Sequence, residues 1–228
     1  MIIGLVGFIG AGKGTVGELL HLQGYKQASF AGVLKDTASI MFGWDRDLLE
    51  GDTVESRMFR EAKDEFWSEK FGYEFSPRLA LQRLGTEAGR DVFHKDIWIY
   101  ALEKRIQNKK NVVITDTRFP NEIEWIRSKG GIIVEVKRGP RPEWYEELKY
   151  WYSTDRGPND THPSKIKNLP HESEWRWIGH EYAIDYTINN DGSLKDLAVN
   201  VNTLLTKIEN GDIVNNLHNE GVSNEVFA

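Results

Sequence analysis

The stretch Met1–Leu20, MIIGLVGFIGAGKGTVGELL, constrains this chain more than any other. A short apolar run (Ile2, Ile3, Leu5, Val6) meets a glycine-rich turn, and the turn leads into a segment with Val16, Leu19 and Leu20 on one helical face. Strand, glycine turn and helix are the context that gives the spacing Gly7-x4-Gly12-Lys13 its meaning. Glycine admits backbone conformations and close approaches that a Cβ blocks. Backbone N–H groups across Gly10, Ala11, Gly12, Lys13, Gly14 and Thr15 then turn inward at the positive end of a helix, an arrangement that holds phosphate oxygens. Lys13 is placed to reach the β- and γ-phosphates of ATP, and the Thr15 hydroxyl to coordinate Mg²⁺. The residue after Lys13 is Gly14, so the hydroxyl comes one position later than in the commonest form of such a loop. A glycine-rich turn with an incidental lysine is the competing explanation, and position, preceding strand and following helix all speak against it.

Bulk properties narrow the setting. At 228 residues and 39% hydrophobic, the chain has enough apolar material for one large domain or two small ones. A net charge of −6 argues against general nucleic-acid binding, which needs a basic face, but leaves room for a local pocket for small anions. The absence of cysteine removes disulfides, thiol catalysis and cysteine-ligated metals. No amino-terminal signal is visible and no apolar run approaches the roughly 20 residues that span a bilayer. The expectation is a soluble, cytoplasmic protein without membrane or nucleic-acid partners, in the host cytoplasm if the source is viral.

Taken in order, Tyr25–Phe30 reads as a short strand and Ala31–Phe42 as a helix carrying Lys35 and Asp36. Val54–Phe71 reads as a single charged amphipathic helix, its charges a solvated face. Ser76-Pro77 is an N-cap followed by proline at the first helical position, starting a helix through RLALQRLGTEAGR. Leu81, Leu84 and Ala88 form its apolar face. Arg78, Gln82, Gly85 or Thr86, and Gly89 form a second stripe. Two glycines inside a helix cost roughly 1 kcal/mol each relative to alanine, which suits something flat lying on the backbone. A helix broken at Gly85 with a solvated polar face explains the stripe equally well. Asp96–Lys109 is a further helix, in which periodicity puts Trp98 in the core rather than against a ligand.

Val112–Thr115 is a buried-strand pattern with Asp116 at its carboxyl end, where open α/β sheets bind ligands. Pro120 starts the next helix and Gly130-Gly131 ends it. Asp116, Arg118 and Glu122 therefore gather at one strand end and one helix start. They suit a Mg²⁺ shell, an acceptor's sugar and phosphate, or a capping and ion-pair cluster. After a strand at Ile132–Lys137, the segment 138–180 holds five of the seven prolines and four of the eight tryptophans, with Arg138, Arg141, Arg156, Lys165, Lys167 and Arg176. A long insertion of this kind suits a lid that brings arginines over phosphates. His162, His171 and His180 lack metal-ligand spacing. Tyr182–Ile188 reads as the last strand, Leu194–Ile208 as the last helix and 211–228 as a frayed tail. Strands alternating with helices predict an α/β fold, a mainly parallel five-stranded sheet with helices on both faces.

A phosphate cradle alone says that a nucleoside triphosphate binds. A GTPase switch needs DxxG and NKxD elements, and the sequence contains neither. A small-molecule kinase and a non-catalytic nucleotide-binding module remain. The GKGT form of the loop resembles that of small nucleotide kinases. SFAGVLKD, LQRLGTEAGR, Asp116-Thr117-Arg118-Phe119-Pro120-Asn121-Glu122 and His171-Glu172-Ser173-Glu174 resemble bacteriophage deoxynucleoside monophosphate kinases, in the same order over about residues 1–205. The resemblance implies a P-loop kinase-like three-layer fold spanning 1–210, with 54–110 as a helical acceptor-binding region and 138–180 as the lid-like insertion. It also implies transfer of the γ-phosphoryl group of ATP to a dNMP with Mg²⁺. Carried over by position, the acceptor site uses Arg78, Gln82, Gly85, Thr86, Trp98, Asp116, Arg118 and Glu122, with Lys35 and Arg90 in the same motifs. Lys13, Arg118 and a lid arginine, Arg138 or Arg141 before Arg156, then serve the transferring group. A kinase for a dephospho-coenzyme A-like alcohol is the other acceptor class. Base preference, exclusion of ribonucleotides and a homodimer built on exposed tryptophans stay open.

Overall fold

The computed structural model describes residues 1–153, 163 and 166–213. Arg156, His162 and Lys165, and the tail from 214 onward, lie outside the described residues. The chain forms two compact units, Met1–Gln27 together with the chain from Lys109 onward, and Ala28–Asn108.

The first unit is built on a sheet of β1 (Ile2–Val6), β2 (Lys26–Ala28), β3 (Val112–Ile114), β4 (Ile132–Lys137) and β5 (Ile184–Asn189), in the order β2-β3-β1-β4-β5. β1 runs parallel to β3 on one side and β4 on the other, and β4 runs parallel to β5. Such strands are covered on both faces, which is why they read as nearly continuous apolar runs. On one face Ile3, Leu5, Val113 and Val134 pack with Val16 and Leu20 of α1 (Lys13–Leu22) and Leu197, Val201 and Leu204 of α9 (Leu194–Glu209). On the other face α7 (Pro120–Ser128) lies so close that a Cβ on Gly4 would sit 2.5 Å from Ile126 Cδ1. Helices cover both faces of the sheet, as the alternation of elements predicts.

The register of β4 and β5 slips at Ile133/Val134, leaving Asp185 as the extra residue. The Asp185 carboxylate accepts the Ile133 N–H at 2.8 Å and pairs with Arg127 of α7. Both side chains are almost wholly buried. Removing one partner of such a pair leaves a buried charge unanswered, at a cost of roughly 3–5 kcal/mol. The insertion begins with α8 (Tyr145–Ser153) and ends in short 3-10 turns at Glu172–Glu174 and Arg176–Ala183.

The second unit is helical and starts earlier than residue 54. α2 (Phe30–Phe42) packs against α5 (Pro77–Arg83) and α6 (Ile97–Ile106). The helix expected over Val54–Phe71 is two: α3 (Val54–Glu61) and α4 (Glu65–Phe71). Ala62 leaves the helical region at φ −67°, ψ 141°, and the Asp64 carboxylate then caps the Trp67 N–H at 2.9 Å. The same carboxylate accepts the Trp44 indole N–H at 2.7 Å, so the break is held from the core. Ser76 caps α5 by accepting the Leu79 N–H, with Pro77 at the first position, as expected.

Past Arg83 the helix does not break at Gly85; it widens into π-helical turns over Leu84–Phe93. Both glycines are buried there. A Cβ on Gly89 would lie 2.6 Å from Trp98 Cζ2, and one on Gly85 would lie 3.1 Å from Leu34 Cδ2. The Trp98 indole N–H donates to the Gly85 carbonyl at 2.9 Å. The flat object on the backbone is thus a side chain of the same unit. Gly89→Ala should push the indole off the helix and cost about 1–3 kcal/mol, read as a drop in Tm. Among the described residues no helix is long and apolar enough to cross a membrane.

Candidate active site

β1 and β3 are neighbouring parallel strands, so the loop after β1 and the segment after β3 leave the sheet side by side. Gly17 of α1 has no room for a Cβ, which would lie 2.6 Å from Thr115 Cγ2 at the end of β3. The glycine loop and the Asp116–Arg118 corner are therefore brought together within one unit.

The loop follows the sequence reading in outline. Gly12 caps α1 with φ 98°, a conformation that a side chain resists. A Cβ there would also collide with the Asn190 amide, which donates to the Ala11 carbonyl at 2.8 Å. Gly7, at φ 138°, passes so close to the Val136 carbonyl that no Cβ fits. Gly10 and Gly14 face open space. Thr15 lies half-buried in the first turn of α1. Ala11, within the loop, is buried.

Lys13 folds back over the loop, donating to the Gly7 carbonyl at 2.7 Å and the Phe8 carbonyl at 3.0 Å. Burial, and then the positive charge of Arg118, lower its pKa from 10.5 to about 8, against the pull of Glu174 and Asp116. Four charged groups thus share one locale. The sign of the pH response follows: the ammonium is present below about pH 8 and lost above it. Because kcat/KM reports the free enzyme, kcat/KM for ATP should fall as pH rises through about 8. Phosphates bound there would restore the proton, so kcat should hold to higher pH. Initial rates between pH 6 and pH 10 check both limbs.

In the Asp116–Arg118 corner, Thr117 points into the core while Asp116 and Arg118 remain half-exposed. The Arg118 guanidinium donates to Glu174 Oε1 at 2.5 Å and to the Ser173 carbonyl at 3.3 Å. Glu122 sits differently from the expectation that it touches the acceptor. It is 4% exposed, and its Oε2 accepts the Arg118 N–H at 2.7 Å and the Phe119 N–H at 3.0 Å. Its work is to cap α7 and hold the Arg118 backbone, the capping alternative among those open at the sequence level.

Arg141 departs from expectation too. Its guanidinium is paired with the buried Glu135 carboxylate and lies over the rings of Tyr145 at 4.7 Å and Phe8 at 5.6 Å. A cation so committed is not poised to swing onto a transferring phosphoryl group. Arg138 is exposed just past β4 and makes no ion pair with a described residue. Glu174, Asn190 and Phe8 were not among the expected site residues. Only Glu174 carried a signal, lying inside the His171–Glu174 element.

In the helical unit, Gln82 and Thr86 are exposed on one face of the Pro77–Phe93 helix. Arg78 is exposed and pairs with Glu61 at 2.7 Å, a surface contact worth about 0–1 kcal/mol and easily exchanged for an anion. Arg90 is half-buried, and Gly85 serves packing. Lys35 is taken up by Glu50. Together with Arg46 it holds the Glu50 carboxyl below its usual range although burial raises it. An apolar groove of about 510 Å³ runs along the opposite face of this helix, between Leu84, Ala88, Phe42, Phe71 and Phe75.

Residues 45–157 match the family model described as deoxynucleotide monophosphate kinase. A protein of Acanthamoeba polyphaga mimivirus assigned as a deoxynucleotide monophosphate kinase is 30% identical over 181 residues, 73% of this chain and 81% of its own length. The chain belongs to the deoxynucleotide monophosphate kinase family. A further relative in it, the deoxynucleoside-5'-monophosphate kinase of Escherichia phage T5, is 50% identical over 54 residues, 23% of this chain and 22% of that one. Among solved structures, dephospho-CoA kinase from Campylobacter jejuni is similar at TM-score 0.48 and 13% identity, covering 93% of this chain and 98% of its own. TT1252 from Thermus thermophilus is similar at TM-score 0.45 and 20% identity, covering 91% and 97%. Lys13, Asp116, Arg118 and Glu174 meet beside the glycine loop.

Proposed function

We propose that the chain transfers the γ-phosphoryl group of ATP to a deoxynucleoside monophosphate. An oxygen of the dNMP phosphate bonds to the γ-phosphorus, the bond from that phosphorus to the β–γ bridging oxygen breaks, and ADP leaves. The products are dNDP and ADP. The observation that carries this reading is the charge cluster of Lys13, Arg118, Asp116 and Glu174 at the loop.

Transition states of this kind spread negative charge over the transferring oxygens, so positioning and electrostatics supply most of the catalysis. The amides of Gly10–Thr15 hold the donor phosphates. Lys13 leaves its two loop carbonyls for the β- and γ-oxygens. Arg118 has donors to spare beyond its Glu174 pairing, and its planar fork suits the acceptor phosphate. Arg78, with its weak surface partner, and the exposed amide of Gln82 and hydroxyl of Thr86 are the acceptor candidates of the helical unit. Arg138 is the lid arginine left uncommitted among the described residues. The Thr15 hydroxyl would hold Mg²⁺, which would supply further positive charge on the donor. A Cβ on Gly10 or Gly14 would meet nothing within 4 Å, so the side-chain direction at both positions is open. Among the described residues no cluster of three acids or histidines competes for the ion.

The product is a precursor for DNA synthesis, and small molecules are the partners. An ATP-consumption assay coupled to ADP, run against the four dNMPs and the four rNMPs, tests the reading. ADP formed with at least one dNMP is expected. ATP binding without dNDP from any dNMP points to a non-catalytic module. Turnover with an alcohol acceptor alone points to the coenzyme A-precursor class.

A further inference from the structure

Phe8 is the second residue of the phosphate loop, and neither the loop motif nor the proposed chemistry gives it a task. Its ring is nonetheless half-buried among other rings. It meets Trp144 edge-on at 5.5 Å and 86°, Tyr145 edge-on at 6.0 Å and 85°, and Trp177 at 5.3 Å and 58°. The Arg141 guanidinium lies 5.6 Å from the ring centroid. The seat is fastened in turn: Arg141 by Glu135, and Tyr145 through its hydroxyl by Glu181, which also takes Lys149 at 3.2 Å. The backbone of the same residue does local work. The Phe8 carbonyl accepts Lys13 Nζ at 3.0 Å and the Ala11 N–H at 3.2 Å. At the far end Asn190 holds Ala11 and crowds Gly12. Between these anchors the loop has little support: Ile9 is 83% exposed, and a Cβ on Gly10 would meet nothing within 4 Å.

We propose that Phe8 is a positioning residue, a plug by which the aromatic seat of Trp144, Tyr145, Trp177 and Arg141 holds the phosphate loop in its ATP-binding shape. Glycines let the loop take that shape but do not select it, because each glycine widens the range of shapes available. Two side-chain anchors outside the loop narrow the range before ATP arrives, and preorganisation of this kind appears as donor affinity. The basic, tryptophan-rich character of the insertion then has a structural purpose on the donor side, and Arg141 acts through Phe8 rather than on phosphate. The inference rests on the loop as the ATP site and is indifferent to the acceptor.

The test uses the full chain. Calorimetric ATP affinity, KM for ATP, KM for dNMP and Tm are compared for the unaltered protein, Phe8→Leu, Phe8→Ala and Trp144→Ala. Phe8→Ala should weaken ATP affinity about 10-fold or more while KM for dNMP stays within twofold, since small misplacements of a binding group cost up to about 100-fold. Phe8→Leu, which keeps bulk in the seat and folds more readily, should lie between. Trp144→Ala should reproduce the defect on the ATP side, and combining it with Phe8→Ala should add little, because both remove one plug. If Phe8→Leu and Trp144→Ala lower Tm but leave ATP affinity unchanged, the seat is only core and the inference is wrong. If the unaltered protein binds no ATP, the donor reading of the loop fails instead.

Discussion

Lys13→Ala should lower kcat/KM by about 10³-fold or more and leave the fold in place, with Tm within a few degrees of the parent. The size follows from what the ammonium faces. Preorganised positive charge at a developing oxyanion contributes about 3–4 kcal/mol per donor, and a phosphoryl group in flight carries more than one charged oxygen. The fold survives because, among the described residues, Lys13 bonds only to the Gly7 and Phe8 carbonyls of its own loop. Gly7 is buried and Phe8 half-buried, so both carbonyls are partly covered, and water entering the space left by the side chain replaces the lysine. Removing a buried, partly desolvated cation also relieves repulsion with Arg118, so a small rise in Tm is compatible with the assignment. Steady-state rates alongside thermal melts separate the two effects. A variant that turned over at the parental rate would end the placement of ATP on this loop.

Arg118→Ala should reduce kcat/KM for dNMP by about 10²-fold or more while KM for ATP changes little, since a bidentate arginine–phosphate contact is among the stronger charge-assisted pairings. The expected split is informative because Arg118 also lowers the pKa of Lys13. Without Arg118 the lysine keeps its proton to higher pH, so the alkaline limb of kcat/KM for ATP should move upward. Arg118→Lys should recover less than half of the loss in free-energy terms, because an ammonium cannot hold Glu174 and an acceptor phosphate with the same geometry. A raised KM for ATP with an unchanged KM for dNMP would reverse the role assigned here.

Much of the architecture was legible because it rests on short-range rules. The apolar strand runs, the glycine turn, the Ser76-Pro77 cap and the Pro120 helix start each depend on residues a few positions apart. The π-helical turns at Leu84–Phe93 were not, since glycine spacing says that a backbone tolerates close approach without saying what approaches. Trp98 answers that only once α6 has folded back onto Gly85 and Gly89. The split between α3 and α4 was hidden for a related reason. Asp64 reads as one more surface charge until Trp44, 20 residues earlier, supplies its indole.

At the site the division has the same origin. Sequence alone located the glycine loop, Lys13, and the acid and arginine following β3, because each sits where a strand ends and the backbone geometry there is local. Tertiary structure decided which charges are spent and which remain. Glu174 reaches Arg118 across 56 residues, Asn190 reaches the loop across 179, and Glu135 claims Arg141. Glu122 turned from ligand to cap once its backbone partners were in place. Partners of that kind are chosen by strand order, which puts β4 beside β1 and β5 next to β4, and strand order is a property of the packed sheet rather than of any stretch of the chain.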